Sequence, residues 1–367
     1  MAAGGETPNQ VAFSEITAIA AAHGIHDLGV APASVMERAR TALIERKAQG
    51  LHSTMQFTYR NPERSTDPRR TVADARSVIV AARSYQMPEN EEAEDHQSVR
   101  LDGLHRSSLS GRVARYAQVD HYSLLIAGLR EIADRLISAG HRAVVLCDDN
   151  AIVDREIAFL GGLGWFGKNA NLLIPGAGSY FVLGCIITSA DYPVSTPVAD
   201  GCGGCIRCFD ACPTGAIVAP GVIDANRCLA WLVQQGGTFP EEFREALGDR
   251  MYGCDDCQES CPPTVRFSKR RPAEVPDDAP VTARVDLQEF FTSSDADLLS
   301  RYGRWYVADR DPRWWRRNAL IILGNTATEA DEWVPDLLRE YAAGDDPILA
   351  EHARWAMNQL QVRGVQV

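Results

Sequence analysis

The densest chemistry in this 367-residue chain lies in eight of its ten cysteines, packed between positions 202 and 261. Cys202-Gly-Gly-Cys205-Ile-Arg-Cys208-Phe-Asp-Ala-Cys212-Pro213 has the C-x2-C-x2-C-x3-C-P spacing of bacterial ferredoxins. In that pattern three thiolates close around one cubane, and the fourth, turned away before the proline, reaches a neighbouring cluster. Tyr252-Gly-Cys254-Asp-Asp-Cys257-Gln-Glu-Ser-Cys261-Pro262 repeats the second half of the pattern, and Cys228 supplies the distant remaining ligand. Crossing the fourth cysteines assigns Cys202, Cys205, Cys208 and Cys261 to one 4Fe-4S cluster, and Cys212, Cys228, Cys254 and Cys257 to the other. Zinc also accepts four thiolates from C-x2-C pairs, but a zinc ribbon has no use for two interleaved triplets that each end in Cys-Pro. Two adjacent clusters conduct single electrons and transform no substrate themselves, so either a partner or the rest of the chain does the chemistry.

Three further segments carry candidate groups. Asp148-Asp-Asn-Ala-Ile-Val-Asp-Arg155 follows directly on an apolar strand, where α/β domains place functional groups. The bland alternative is that Asp148 caps the following helix, and Asp154 beside Arg155 reads as an ion pair holding the loop. Gly162-Leu-Gly-Trp-Phe-Gly-Lys168 is glycine-rich but lacks the Gly-Lys-Ser/Thr ending and the spacing of a nucleotide loop. The run from Arg301 to Arg317 holds six arginines and five large aromatics. Arginines position phosphates and aromatic faces stack on unpaired bases, and Lys269-Arg-Arg271 extends such a path. Against this, Trp314 and Trp315 read as core residues of a helical repeat.

These groups need a scaffold, and the periodicity supplies one. Residues 1–197 alternate helical stretches with short β-branched runs at Ser77-Val-Ile-Val-Ala-Ala82, Arg142-Ala-Val-Val-Leu146 and Tyr180-Phe-Val-Leu-Gly-Cys-Ile-Ile-Thr188, the pattern of an α/β domain. Between them, residues 122–139 place apolar side chains at three-and-four spacing and stop before Gly140, as an amphipathic helix does. Residues 198–265 form the ferredoxin-like module, and a Pro- and charge-rich link follows it. Residues 284–367 turn helical: Asn318-Ala-Leu-Ile-Ile-Leu323 and His352-Ala-Arg-Trp-Ala-Met357 recur in similar surroundings, which predicts stacked helical-hairpin repeats of the HEAT-like kind, with a plain bundle as the alternative.

Composition bounds the class. A chain of this length with 45% hydrophobic residues can build cores without disulfides. No apolar run reaches membrane-spanning length, and the start, MAAGGETPNQ, has neither a signal-peptide pattern nor a twin arginine, so a cytoplasmic protein with no membrane partner is expected. Thiols stay reduced there, which favours metal ligation over bridges. Cys147 and Cys185, each near apolar stretches, read as small buried hydrophobes. The net charge of -12 excludes a surface that grips nucleic acid everywhere and leaves room for a local basic patch; the acidic run at 89–95 reads as a solvated loop.

Taken in order, several blocks resemble the epoxyqueuosine reductase family. They are Leu28-Gly-Val-Ala-Pro32, Asn61-Pro-Glu-Arg64, Ala75-Arg-Ser-Val-Ile79, Gly111-Arg-Val-Ala-Arg-Tyr116, Val153-Asp-Arg155, the run from Gly162 to Lys168, Gly178-Ser179, the cysteine module, Arg317-Asn-Ala319 and Gly324-Asn325. The resemblance implies a cobalamin bound between the first domain and the clusters, reduced to cob(I)alamin by electrons from an external donor. It also implies a tRNA substrate whose epoxyqueuosine loses its oxygen to become queuosine. The family's proton-donating aspartate falls on Asp148; the position three residues on, often proline, is Ala151, and a second acid, Asp149, stands next to the first. By resemblance, Arg64, Arg112, Tyr116, Asp148, Gly162, Gly164, Trp165, Gly167, Lys168 and Ser179 are corrin-side candidates, and Arg313, Arg316 and Arg317 are tRNA contacts. Two rivals share parts of this pattern: a reductive dehalogenase, which would carry a twin-arginine leader, and a ferredoxin-type carrier, which would not need some 200 residues before its clusters.

Overall fold

The computed structural model describes residues 10–87 and 109–366, and the acidic run at 89–95 lies outside the described residues. The first part of the chain is built on a four-stranded sheet in the order Asp27–Pro32, Ser77–Ser84, Phe181–Thr188, Ala143–Leu146. All three neighbouring pairs are antiparallel. The domain is therefore mixed α and β without the parallel sheet that strand-end sites of doubly wound folds rely on. A strand buried on both faces reads as a continuous apolar run whichever way it points, so the pattern carried no signal of direction.

Helices cover both faces, and Ser77–Ser84 is buried along its whole length. Ile79 and Ala81 pack with Leu125, Leu129 and Ile132 of the helix His121–Ser138. Val78, Val80 and Ala82 pack on the other side with Ile157 and Ala158 of the helix Asp154–Leu160. His121–Ser138 begins where the Asp120 carboxylate accepts from the Ser123 amide at 3.1 Å, and the chain leaves it through Gly140 at φ +91°.

Ser110–Val113 leaves this domain altogether. It pairs in parallel with Arg250–Tyr252 of the cysteine segment and antiparallel with Arg284–Asp286 beyond it. Sequence boundaries near 197, 265 and 284 thus run through a shared core, in which Val113, Leu229, Met251, Val285 and Leu320 all belong to one cluster. The two similar C-terminal segments lie on Arg313–Thr326 and Pro347–Val362, which pack side by side, with Val334–Ala343 against the second. Gly324 permits that approach, since a Cβ there would stand 2.9 Å from the Ala356 Cα. Among the described residues no helix is long and apolar enough to cross a membrane.

Candidate active site and cluster centres

The eight cysteines sort into two quartets. Cys208 and Cys261 each lie within electrostatic reach of Cys202 and Cys205, and these four line a cavity of about 220 Å³ bordered by Pro262, Pro263 and Phe267. Cys257 is in reach of Cys254, Cys228 and Cys212. Among the described residues, no three Cys, His, Asp or Glu side chains are close enough to share a single metal ion. Burial pushes up the thiols of Cys228 and Cys257, and that of Cys254 to about 12, so iron must displace protons as it binds. Cys185 is fully buried in the sheet and Cys147 donates its thiol to the Leu183 carbonyl at 3.2 Å, apart from both quartets.

The run after Gly162 serves the cysteine module. Lys168 Nζ donates to the carbonyls of Gly203 and Cys205 at 2.7 and 2.9 Å. The Asn169 amide donates to the Cys257 carbonyl at 2.9 Å, and the Ser179 hydroxyl, buried, bonds Gln258 and Thr264, each at 2.9 Å. Lys168 and Ser179, expected beside a corrin, here bond the two cysteine loops. Gly162, Gly164 and Gly167 are likewise filled by the chain itself. A Cβ on Gly164 would meet the Leu173 carbonyl oxygen at 2.1 Å, one on Gly162 the Thr196 oxygen at 2.6 Å, and one on Gly167 the Leu173 Cδ1 at 2.3 Å. Trp165 is buried under Gly201, next to Cys202. Arg112 lies on the three-stranded sheet between Asp249 and Glu259, at 3.4 and 3.8 Å.

Asp148 sits two residues beyond the strand Ala143–Leu146 with φ +50°. This left-handed conformation is uncommon outside glycine and is tolerated best by Asp and Asn. Its carboxylate forms no hydrogen bond among the described residues, whereas the neighbouring Asp149 accepts from the Ala151 amide at 2.7 Å and so closes the turn. The following helix begins at Asp154 with Val153 as its cap residue, so Asp148 is not a helix cap. Asp148 reaches the surface, yet the walls around it displace enough water to raise its pKa, against the pull of Arg155 and Arg310. The expected Asp154–Arg155 ion pair is absent: one Asp154 carboxyl oxygen is buried without a partner, and burial, then Asp148, hold that carboxyl well above the usual range.

Aromatics frame the acid. Tyr252, in electrostatic reach of Asp148, donates its hydroxyl to the Tyr306 carbonyl at 3.0 Å and stacks on Trp305 at 5.1 Å. Tyr116 lies 6.3 Å from Tyr252, ring to ring. Arg155 lies within electrostatic reach of both Asp148 and Cys228 of the second quartet. Arg64 is exposed at the end of a short helix, away from any ion pair among the described residues.

The arginine run divides. Arg317 is fully buried and donates to the carbonyls of Leu232, Gln235 and Gly237, each at 2.8 Å. It cannot touch a phosphate, which corrects its expected role: it closes the turn after the Cys228 helix. Arg317→Ala is expected to destabilise the fold by at least about 3 kcal/mol, because buried acceptors lose their donor, and urea unfolding at constant pH checks it. Arg316 is mostly covered, bonded to Asp295 and the Ser293 carbonyl, and Trp314 and Trp315 are core residues. Arg313 stays partly exposed over Trp314, paired with Asp311 and Asp346. Arg310 and Tyr306, given no individual role by sequence reasoning, are exposed, and Arg310 adopts φ +56° within reach of Asp148. Their only sequence signal was membership of the arginine-rich run.

Comparison with known proteins agrees with this arrangement. Residues 201–264 match the family described as 4Fe-4S double cluster binding domain. An epoxyqueuosine reductase from Bacillus cereus is 31% identical over 93% of this chain and 87% of its own length. A crystal structure of epoxyqueuosine reductase with an epoxyqueuosine-modified tRNA-Tyr stem loop superposes with a TM-score of 0.82 at 27% identity, covering 95% of this chain and 90% of that one. The Bacillus subtilis enzyme, solved with its catalytic aspartate loop swung out of the active site, gives 0.80 at 26% identity over the same shares. With eight cysteines sorted into two quartets beside an unpartnered carboxyl, and with this degree of identity along nearly its whole length, the chain belongs to the epoxyqueuosine reductase family and is an oxidoreductase with a double iron-sulfur domain.

Proposed function

We propose that this chain reduces epoxyqueuosine in tRNA to queuosine, drawing electrons through its two clusters to a cobalamin beside the Asp148 loop, with Asp148 as the proton donor. The observation that carries the reading is a partly desolvated carboxyl, without a hydrogen bond among the described residues, that shares the electrostatic reach of Arg155 with Cys228 of the second quartet. The reaction takes two electrons and two protons, and it releases an alkene and water. When bound, cobalamin supplies a centre able to deliver two electrons to carbon.

The residues present fit such a ligand. A buried Asp154 oxygen and the buried indole N–H of Trp231, three residues after Cys228, lack partners among the described residues, and a corrin's amide-bearing rim offers donors and acceptors. Tyr116, Tyr122 and Tyr252, each with its hydroxyl pKa raised by burial, would wall such a ligand. Gly162, Gly164, Trp165, Gly167, Lys168 and Ser179 act indirectly, by holding the cysteine loops. The walls around Asp148 raise its pKa and so favour the protonated form, which gives its proton to the departing oxygen. Asp148 holds a left-handed backbone conformation, and in the Bacillus subtilis relative the catalytic aspartate loop was solved swung out of the active site. Arg310, Tyr306 and Arg313 form the surface that meets the anticodon loop, and the helical region 284–367 supports it. A tRNA substrate places the work in the cytoplasm.

Anaerobic turnover on epoxyqueuosine-containing tRNA tests the reading. Product is expected with a chemical reductant and cobalamin, and none without cobalamin. Equal turnover in both would remove the cofactor from the scheme.

A further inference from the structure

The two quartets differ in their surroundings. The second is internal to the machinery: Cys254 packs against the core shared with the C-terminal helices, and Cys228 is reached by Arg155 of the acid loop. The first holds the one exposed cysteine among the described residues, Cys205. Beside it runs an open groove of about 670 Å³ lined by Arg207, Asp210, Glu259, Ser260, Val265 and Arg266. Apolar side chains crown its edges, Ile206 at 54% and Val265 at 58% exposure.

Charge around this groove runs against the rest of the molecule. On a chain of net charge -12, residues 262–271 contain Arg266, Lys269, Arg270 and Arg271 and no acid. Arg271 is engaged with Asp27, but Arg266 and Arg270 are exposed and lie over the Phe267 ring at 5.8 and 4.5 Å. The acids present are largely answered: Glu259 is shared by Arg112 and Arg115, which leaves Asp210 against Arg207 and Arg266. Exposed apolar residues flanked by Arg207, Arg266 and Arg270, next to the segment that carries Cys205, form a small docking face.

We infer that this groove, between the helices Arg207–Asp210 and Pro262–Phe267, is the docking site of a small acidic one-electron carrier protein, and that electrons enter at the Cys202, Cys205, Cys208, Cys261 cluster and leave through the other. The inference rests on the cluster assignment and not on the epoxide chemistry. Each docking event oxidises the carrier by one electron and reduces the outer cluster by one, and two events supply one epoxide.

Stopped-flow bleaching of the cluster absorption in the holoenzyme, with a reduced acidic ferredoxin as donor, tests it without any tRNA. The rate is expected to fall steeply as salt rises. It should also fall at least tenfold in Val265→Glu and in the double variant Arg266→Glu/Arg270→Glu, while bleaching by dithionite and iron content stay at wild-type levels. Wild-type rates with ferredoxin in both variants, or a salt-independent rate, would overturn the docking site. An equal loss with dithionite would also overturn it, since the substitutions would then be acting on the cluster itself.

Discussion

Asp148→Asn is expected to lower turnover of epoxyqueuosine-containing tRNA by at least about two orders of magnitude, with iron, cobalamin and tRNA binding unchanged. The substitution keeps size and polarity and removes only the transferable proton. Asparagine also tolerates the left-handed backbone found at this position, so the loop keeps its shape. A positioned acid contributes a factor of about 10² to 10⁴, and that sets the scale of the loss. The pH profile carries the sign. Burial raises the Asp148 pKa, so the protonated form needed as acid persists to higher pH than for an ordinary aspartate, and activity falls as pH rises through that pKa. This limb should vanish in Asp148→Asn. Asp149→Asn retains an oxygen able to accept from the Ala151 amide and should cost far less. The reverse ranking would put the donor at Asp149, and near-normal activity in both would give the proton transfer to solvent.

The second large effect is expected from Cys228→Ala: iron should drop from about eight to about four per chain, and turnover should disappear. Cys228 is the ligand farthest from any motif, yet it lies in reach of Cys212 and is the cap residue of the helix Leu229–Leu232. Removing it leaves three thiolates for the inner cluster, the one beside Arg155, and interrupts the path between the outer cluster and the acid loop. Iron and sulfide assays on anaerobically reconstituted protein read the first effect, and product formation reads the second. Full iron content in the variant would mean that another group completes the inner quartet.

The cysteine pairing was legible in sequence because short loops leave few ways to wrap a cubane, and Cys-Pro marks which thiolate turns away. Strand and helix positions were legible too, from apolar period: the run at 77–82 is the strand Ser77–Ser84, and the amphipathic stretch at 122–139 is the helix His121–Ser138. Strand direction was not legible, since Val78 to Ala82 are buried on both faces whichever way the neighbours run. Arg317 shows a different blind spot. An arginine among arginines reads as a phosphate contact, and only the turn at 232–237, brought against it by folding, reveals three carbonyls in need of a donor. Ser179 and Lys168 were singled out by a family pattern, and only the folded chain reveals the groups of the cysteine loops that they bond.

The three-stranded sheet has a consequence in time. Arg112 faces Arg284 across its ladder although roughly 170 residues separate them in the chain, and all eight cluster cysteines lie within that loop. Closing so long a loop costs little stability, since the entropy grows by only about 0.6 kcal/mol per doubling of length. It costs speed instead, because distant pairing waits on chain diffusion and gains nothing until it is complete. During that wait the thiols stand in an unfinished pocket, open to oxygen and to the wrong metal. Cluster delivery and the closing of this sheet are therefore competing clocks as the chain folds.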